Sequence, residues 1–248
     1  MSFSACNLSI VPLRAEASHR SEMVTQVLFG EVFETLEEGI DFDRIRLVET
    51  CYEGWIQKNQ SATTNNQAQS NRIVDLSGAT AVSDKHTVYL IHGTTIRSNE
   101  IRIGEENFQI NGDLRQAVLS DFHSEFPKLI SFYNNSPYMW GGRSTMGIDC
   151  SGFSQVVYKH FGIHLKRDAW QQAESGSIVD FLTEIKPGDL AFFDNEAGRI
   201  THVGVMIDNE TIIHAAGRVR IDKMDNEGIF NADLNKYTHK LRIVKRYF

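Results

Sequence analysis

The stretch GIDCSGFSQVVYKHFG, residues 147–162, places Cys150 directly after Asp149 at the predicted start of a helix. The apolar residues that follow recur at intervals of three and four, the spacing of one helix face: Phe153, Val156, Val157 and Phe161. Gly162 is a typical residue just beyond a helix C-terminus. The pattern therefore predicts an amphipathic helix that begins at the cysteine and stops at the glycine.

A thiol at the first turn of a helix faces backbone N–H groups and the positive end of the helix dipole, and both favour the thiolate. This position predicts a lowered pKa and a nucleophilic role for Cys150, whose own backbone N–H would donate to a developing oxyanion. A free cysteine is more commonly a small buried structural residue. Composition and spacing alone leave both interpretations open.

The segments after this helix predict successive strands that carry two histidines. KPGD (186–189) indicates a turn, LAFFD, HVGVMI and TIIHAA have the composition of strands, and DNE is a predicted hairpin turn between the last two. If these strands are antiparallel neighbours, His202 and His214 approach each other at one end of the sheet. We expect His202 to act as the base and His214 to hold its ring in the useful tautomer. The alternative for each is a hydrogen-bonded histidine of the core or the sheet edge, and the other histidines, including His239, lie in unrelated segments.

Before the cysteine helix, apolar residues from Asp113 onward again recur at helical spacing: Leu114, Val118, Phe122 and Phe126. Pro127 is predicted to end or kink that helix, and KLISFYNN continues as a further helical stretch. Helices followed by an antiparallel sheet are typical of an α+β domain, which we place at residues 111–248.

Residues 1–110 instead contain short β-prone runs separated by turns, with a bend at Gly30, and predict a small β-barrel domain. The polar segment QKNQSATTNNQAQSNR, residues 57–72, is interpreted as a loop or linker.

Composition narrows the function. A net charge of −7 argues against nucleic acid as the main partner. Residues 1–110 carry 15 acidic and 9 basic side chains. This acidic excess favours a substrate with a positively charged end, and the alternative is a solvated acidic surface without a binding role. The cysteines Cys6, Cys51 and Cys150 form neither a disulfide scaffold nor a zinc motif, so no metal or organic cofactor is expected. The absence of a long apolar run predicts a protein without a membrane span. The absence of a signal-peptide pattern favours a cytoplasmic protein, and a secreted protein whose signal has been removed is the alternative. We also expect a monomer.

The successive motifs PYMWGGRSTMGIDCSGFSQVVYKHFG, LKRDAWQQ, IKPGDLAFFD, ITHVGVMI and TIIHAAG resemble those of the NlpC family of papain-like cysteine peptidases, which cut cell-wall peptides. The resemblance covers about residues 111–248 and implies Cys150 as nucleophile, His202 as base and His214 as orienting residue. YEGWI, residues 52–56, resembles a late-strand motif of the bacterial SH3-like barrels that often precede this domain. The combination resembles γ-D-glutamyl-L-diamino acid endopeptidases of the dipeptidyl-peptidase VI type.

Such enzymes hydrolyse the bond between D-Glu and Lys or diaminopimelate in wall peptides with a free N-terminal L-Ala. The ammonium of that substrate needs a carboxylate in a pocket that is partly shielded from water. Asp149 is a candidate for this carboxylate, for the N-cap of the cysteine helix, or for both roles. Tyr52 is a candidate to close the pocket, and its alternative role is packing within the barrel. Glu31 is a candidate for a second anionic contact, and its alternative is a solvated surface position.

Arg167 is a candidate partner for the substrate's α-carboxylate, or else a member of an ion pair within the protein. Ser151 and Asp168 complete the predicted substrate-binding set, although Asp168 is also a candidate cap of the following helix. Two functions remain open at this point: cleavage of free wall peptides in recycling, and cleavage of the intact wall with the first domain as a wall-binding module. An inert peptide-binding module is disfavoured, because all three predicted catalytic positions hold competent residues.

Overall fold

The computed structural model describes residues 3–65 and 70–248, which divide into two units. The first unit extends to Ser120 and includes residues 159–163, and the second contains residues 121–158 and 164–248. The predicted border at residue 110 falls inside a strand that continues to Gln116, so the first unit is longer than expected. The three α-helices of the described residues have 12, 11 and 5 residues, and none has the length and apolar composition of a membrane-spanning helix.

Eleven strands form the described part of the first unit: β1 (Phe3–Cys6), β2 (Ile10–Arg14), β3 (Met23–Leu28), β4 (Val32–Glu38), β5 (Phe42–Leu47), β6 (Glu53–Gln57), β7 (Ser61–Thr64), β8 (Arg72–Val82), β9 (Thr87–Leu90), β10 (Glu100–Ile103) and β11 (Glu106–Gln116). They make one sheet in the order β3-β2-β6-β5-β4-β1-β7 and a second in the order β10-β11-β8-β9. Their alternating side chains fill two apolar clusters, one around Val11, Phe33 and Ile45 and one around Val74, Leu90 and Phe108.

The interpretation of residues 57–72 as a loop or linker is wrong in part. A 3₁₀ helix at Lys58–Gln60 is followed by β7, which pairs with β1, and β8 begins at Arg72. The Ser and Thr residues of β7 are compatible with a strand whose partner supplies the backbone hydrogen bonds. The polar composition of the segment does not reveal that pairing. Residues 66–69 of that predicted loop lie outside the described residues.

Three helices and nine strands form the second unit: α1 (Phe122–Tyr133), β12 (Arg143–Ser144), β13 (Gly147–Ile148), α2 (Cys150–His160), α3 (Ala169–Ala173), β14 (Ser177–Ile178), β15 (Leu190–Asp194), β16 (Ile200–Met206), β17 (Thr211–Ala216), β18 (Arg218–Met224), β19 (Gly228–Asn231) and β20 (Lys236–Arg246). Short 3₁₀ helices lie at Leu119–Asp121 and Leu182–Glu184. The final residues of α2, from Lys159, are grouped with the first unit.

The main sheet of the second unit is antiparallel and has the order β14-β20-β15-β16-β17-β18-β19. β20 also pairs with β19, so six of the strands close into a barrel. Apolar side chains from these strands, including Phe193, Met206 and Ile212, form its core. The predicted sequence of helices and then an antiparallel sheet is confirmed, as are the predicted strands over LAFFD, HVGVMI and TIIHAA.

The predicted helix that starts near Asp113 is wrong at its beginning. Leu114 lies in β11, opposite Val74 of β8, and α1 starts only at Phe122. Pro127 lies inside α1 rather than ending it. A proline there removes one backbone hydrogen bond, to the carbonyl of the exposed His123, and water can satisfy that group.

Candidate active site

Helix α2 begins at the cysteine because Asp149 caps it. Asp149 Oδ1 accepts a hydrogen bond from the backbone N–H of Gly152 at 2.7 Å, and Oδ2 accepts one from Gly141 at 2.8 Å. Gly152 has no side chain at a point where the Gly142 carbonyl approaches so closely that a Cβ would overlap it. The glycine-rich loop and the start of the helix are therefore fixed to each other through one carboxylate.

The carboxylate of Asp149 is also paired with the guanidinium of Arg167. Nη1 of Arg167 lies 3.1 Å from Oδ1 and Nη2 lies 2.5 Å from Oδ2, and both side chains are buried. Ser151 Oγ accepts a further hydrogen bond from Arg167 Nη1 at 2.7 Å. The ion pair within the protein that was the alternative for Arg167 is therefore present, and Ser151 joins it. Substrate contacts for Asp149, Arg167 and Ser151 stay predictions. The capping role of Asp149 is confirmed.

Burial raises the pKa of the Cys150 thiol to about 12, and the charge of Asp149 acts in the same direction. Hydrogen bonds from the backbone N–H groups of Val203 and Ser151, and the charge of Arg167, oppose this rise without overcoming it. The expectation of a lowered thiol pKa is therefore wrong: the residue is only 6% exposed, and the sequence pattern carries no information on that burial. The hydrogen bond from Val203 places the sulfur against the strand segment that carries His202.

His202 and His214 form a hydrogen-bonded pair. Gly204 of β16 lies opposite His214 of β17, so His202, two residues before Gly204, projects from the same face as His214. Nε2 of His202 lies 2.9 Å from Nδ1 of His214. A Cβ on Gly204 would lie 2.9 Å from the Cβ of His214, so the glycine leaves room for that side chain. The predicted approach of the two imidazoles is confirmed.

The row of polar side chains continues onto β18, which the sequence analysis did not include. Nε2 of His214 lies 2.9 Å from Oδ2 of Asp222, and both residues are buried. Arg220 binds the same carboxylate with Nε at 2.6 Å from Oδ2 and Nη2 at 2.8 Å from Oδ1. The segment RIDKM, residues 220–224, contained a signal, because Arg220 and Asp222 are two residues apart and would share one face of a strand.

His239 of β20 was assigned to an unrelated segment, and that assignment is wrong. Its ring stacks on that of His202, with the ring centroids 4.0 Å apart and the planes at 26°, and meets the ring of His214 edge-on at 5.6 Å. Its Nδ1 lies 2.9 Å from Oγ1 of Thr238. Residue 239 is far from residue 202 in the chain, so the contact depends on the pairing of β20 with β15 and β19 and not on any local motif.

Burial keeps the imidazoles of His202 and His239 neutral. Burial lowers the pKa of His202 well below its ordinary value, and the nearby His214 and His239 lower it further. Burial lowers the pKa of His239 to about 4, and the proximity of His214 contributes. For Asp222, burial acts to raise the pKa, but hydrogen bonds from His214 and Arg220 outweigh burial and the pKa is lowered. His202 and His239 are thus neutral and Asp222 is ionised near pH 7.

His202, His214 and His239 also have the composition of a zinc site, with ring nitrogens within 4.8 Å of one another. Their orientations do not converge on one point. His202 Nε2 and His214 Nδ1 are directed at each other in a hydrogen bond, and His239 lies face to face with His202. Metal binding would require these rings to turn, so the arrangement is described better as a proton relay than as a metal centre.

Three predicted substrate-binding residues lie elsewhere in their units. Asp168 is the N-cap of α3, and its backbone N–H donates to Gln171 Oε1 at 3.1 Å, which confirms the predicted cap. Tyr52 packs against the apolar cluster of the first unit. Glu31 is buried rather than solvated, because Leu28 N–H donates to its Oε2 at 3.0 Å. Substrate contacts for Asp168, Tyr52 and Glu31 stay predictions.

Comparisons with known proteins agree with this geometry. Residues 135–237 match the NlpC/P60 family, and residues 13–60 match the bacterial dipeptidyl-peptidase Sh3 domain. The chain is 41% identical to the gamma-D-glutamyl-L-lysine dipeptidyl-peptidase of Bacillus subtilis (strain 168) over 87 residues, which are 34% of this chain and 29% of that protein. It is 40% identical to the probable endopeptidase NlpC of Escherichia coli (strain K12) over 86 residues, 34% of this chain and 55% of the relative. The matched part is therefore less than two thirds of either relative.

Solved structures show the same fold. An NlpC/P60 family protein from Bacillus cereus ATCC 10987 superposes with a TM-score of 0.79 at 18% identity, over 99% of this chain and 99% of its own. An NlpC/P60 endopeptidase from Photobacterium damselae subsp. piscicida gives a TM-score of 0.72 at 14% identity, over 97% of this chain and 70% of its own. The predicted fold, an SH3-like β domain followed by a papain-like α+β domain, is confirmed. Residues 135–237 of the chain thus resemble the NlpC/P60 family, and residues 13–60, which precede them, resemble the bacterial dipeptidyl-peptidase Sh3 domain.

Proposed function

We propose that the chain is a cysteine peptidase that hydrolyses the bond between γ-D-Glu and an L-diamino acid in wall peptides with a free N-terminal L-Ala. The observation that carries the proposal is the hydrogen-bonded pair of His202 and His214 in the same unit as a cysteine at a helix N-terminus. The family match over residues 135–237 contains all three residues. The substrate is suggested by the names of two Bacillus relatives, each a gamma-D-glutamyl-L-lysine dipeptidyl-peptidase.

In the proposed reaction, the thiol of Cys150 gives its proton to His202 as the sulfur attacks the γ-carbonyl carbon of D-Glu. The backbone N–H of Cys150 donates to the oxyanion of the tetrahedral intermediate. The C–N bond then breaks, and the proton on His202 goes to the departing amine of the diamino acid. Water, deprotonated by His202, attacks the thioester, and the release of the acid restores the thiol.

The high thiol pKa and the low imidazole pKa indicate that the free enzyme holds a neutral thiol beside a neutral base. The proton is therefore transferred during attack, and the ionised pair is not stored beforehand. Arg167 offsets the charge of Asp149, which would otherwise oppose the developing negative charge on sulfur more strongly.

We further propose that the enzyme acts as a cytoplasmic monomer in wall-peptide recycling. The recycling part of the proposal is supported by the dipeptidyl-peptidase names of the two Bacillus relatives.

The test is mass spectrometry of the products from L-Ala-γ-D-Glu-L-Lys, from its diaminopimelate analogue and from the N-acetylated form of each. Release of the free diamino acid from the first two substrates is expected, with strongly reduced release from the acetylated forms. Cys150→Ala must lose turnover. Retained turnover in Cys150→Ala would overturn the assignment of the nucleophile, and equal rates on acetylated substrates would overturn the requirement for a free amine.

An endopeptidase that cuts intact wall is the second candidate. It is favoured by relatives from Escherichia coli and Listeria that are named probable endopeptidases. Cleavage of purified sacculi at a rate comparable to that of the free tripeptide would support this function over recycling, whereas activity on the tripeptide alone would reject it.

A further inference from the structure

The carboxylate of Asp222 occupies the far end of the row that starts at His202. It accepts a hydrogen bond from Nε2 of His214 at 2.9 Å, and Arg220 holds it with two further bonds. Register explains the arrangement: His214 lies opposite Arg220, and Ile212 lies opposite Asp222, so all three polar side chains share one face of β17 and β18.

The positions of the protons follow from these contacts. An ionised carboxylate can only accept, so Nε2 of His214 must carry a hydrogen. A neutral His214 then has a bare Nδ1, which accepts the hydrogen on Nε2 of His202 across 2.9 Å. A neutral His202 with its hydrogen on Nε2 keeps the lone pair on Nδ1. With His214 neutral, this arrangement satisfies every donor and acceptor along the row.

We propose that Asp222 is a positioning residue that fixes the tautomers of His214 and His202, so that Nδ1 of His202 is the nitrogen that takes the proton from the nucleophile. The effect on catalysis rests on the proposed peptidase function, whereas the tautomers are a property of the folded chain. Asp222 touches neither substrate nor sulfur in this scheme and acts through His214.

Arg220 strengthens the dependence on Asp222. Its Nη1 also lies 3.0 Å from Oδ2 of Asp233, so the guanidinium keeps a carboxylate partner when Asp222 is removed. The guanidinium can then donate to Nε2 of His214, and the row reverses: His214 carries its hydrogen on Nδ1, donates to Nε2 of His202, and leaves His202 with its hydrogen on Nδ1. In that state the base has no lone pair for the thiol.

The charged and titratable groups around the His202–His214 pair come from two strands and one turn. They are Asp222 and Arg220 on β18, His239 on β20, and Asp233, which faces Arg220 from the exposed segment after β19. Of these, Asp222 alone is an anion in direct contact with an imidazole of the pair. A change at Asp233 therefore provides a matched control, since it removes a carboxylate from the same arginine without a contact to His214.

The test compares Asp222→Ala with Asp233→Ala. In the Cys150→Ala background, ¹⁵N NMR of the imidazoles reports which nitrogen carries the proton. We expect His202 to be protonated on Nε2 in the parent and in Asp233→Ala, and to shift towards protonation on Nδ1 in Asp222→Ala. With Cys150 present, we expect Asp222→Ala to lower kcat on the order of 10- to 100-fold with little change in KM.

Unchanged tautomers in Asp222→Ala would overturn the proposal, as would a loss of kcat of equal size in Asp233→Ala. If Asp222→Ala does not fold, Asp222→Asn takes its place, because an amide has one acceptor oxygen and cannot accept all three hydrogen bonds that the two carboxylate oxygens accept. The NMR measurement needs no turnover. If the tautomers are as expected but the peptidase assay shows no turnover, the proposed function is contradicted. If the NMR shows tautomers other than those expected, the role of Asp222 is contradicted.

Discussion

Asp149 and Arg167 form a buried two-point ion pair beside the sulfur of Cys150, with contacts of 3.1 and 2.5 Å. Removing one partner of such a pair leaves the other charge without compensation in a site that excludes water. We expect Arg167→Ala to lower the free energy of unfolding by about 3–5 kcal/mol, measured by urea denaturation. Arg199→Ala, at an exposed arginine of the same unit, should change it by less than about 0.5 kcal/mol. Equal effects of the two changes would show that the ion pair does not stabilise the fold.

The buried, neutral thiol of Cys150 should react slowly with iodoacetamide at neutral pH. Because its pKa is raised to about 12, we expect the alkylation rate to increase with pH through pH 9 without a plateau. The measurement is peptide-resolved mass spectrometry in a Cys51→Ser background, since Cys51 is exposed. A plateau below neutral pH would indicate a stored thiolate–imidazolium pair and contradict the neutral resting state.

His239 should set the acid limit of activity. Its ring covers one face of His202 and contributes to the lowered pKa of that base. In His239→Ala, water and the loss of a neighbouring imidazole should raise the pKa of His202. More of the base is then protonated at a given acidic pH, so the acid limb of the kcat/KM profile should move to higher pH. His123→Ala, at an exposed histidine of the same unit, is the control. An unshifted limb in His239→Ala would exclude this role.

Two buried histidines, one in each unit, should make the protein sensitive to mild acid. Burial lowers the pKa of both His92 and His202 well below the ordinary value. The unfolded chain takes up these protons as pH falls below about 6.5, whereas the folded chain does not, so unfolding gains protons and stability falls. This contribution to stability is complete above about pH 7 and is lost progressively below it.

We expect Tm to fall between pH 7 and pH 5, and His92→Gln to reduce that slope. His19→Gln, at an exposed histidine of the first unit, should leave the slope as it is. A Tm that does not change over this range would contradict the assignment of buried neutral imidazoles.

Local patterns predicted those parts of the fold in which local and long-range requirements agree. The helix from Cys150, which ends at His160 shortly before Gly162, and the strands with His202 and His214 all follow from residue spacing over short segments. The prediction of a helix around Leu114 was wrong. Residues four apart share a face of a helix but also share a face of a strand, and only pairing with β8 distinguishes the strand from the helix.

The candidate site was predictable to a similar extent. The sulfur and two imidazoles follow from motifs, but Asp222 and His239 join them only through strand register and the closure of β19 on β20. The prediction of a lowered thiol pKa was wrong for a related reason. The sequence shows that a helix starts at Cys150, but the burial that outweighs the effect of the helix start on the pKa depends on tertiary packing.

The last strand, β20, both closes the barrel and carries the ring that covers the base. A single proteolytic cut before Lys236 that released this segment would leave β15 and β19 with open edges, ready to pair with other chains. Damage at that point should therefore yield an aggregating species and not a partly folded, soluble chain.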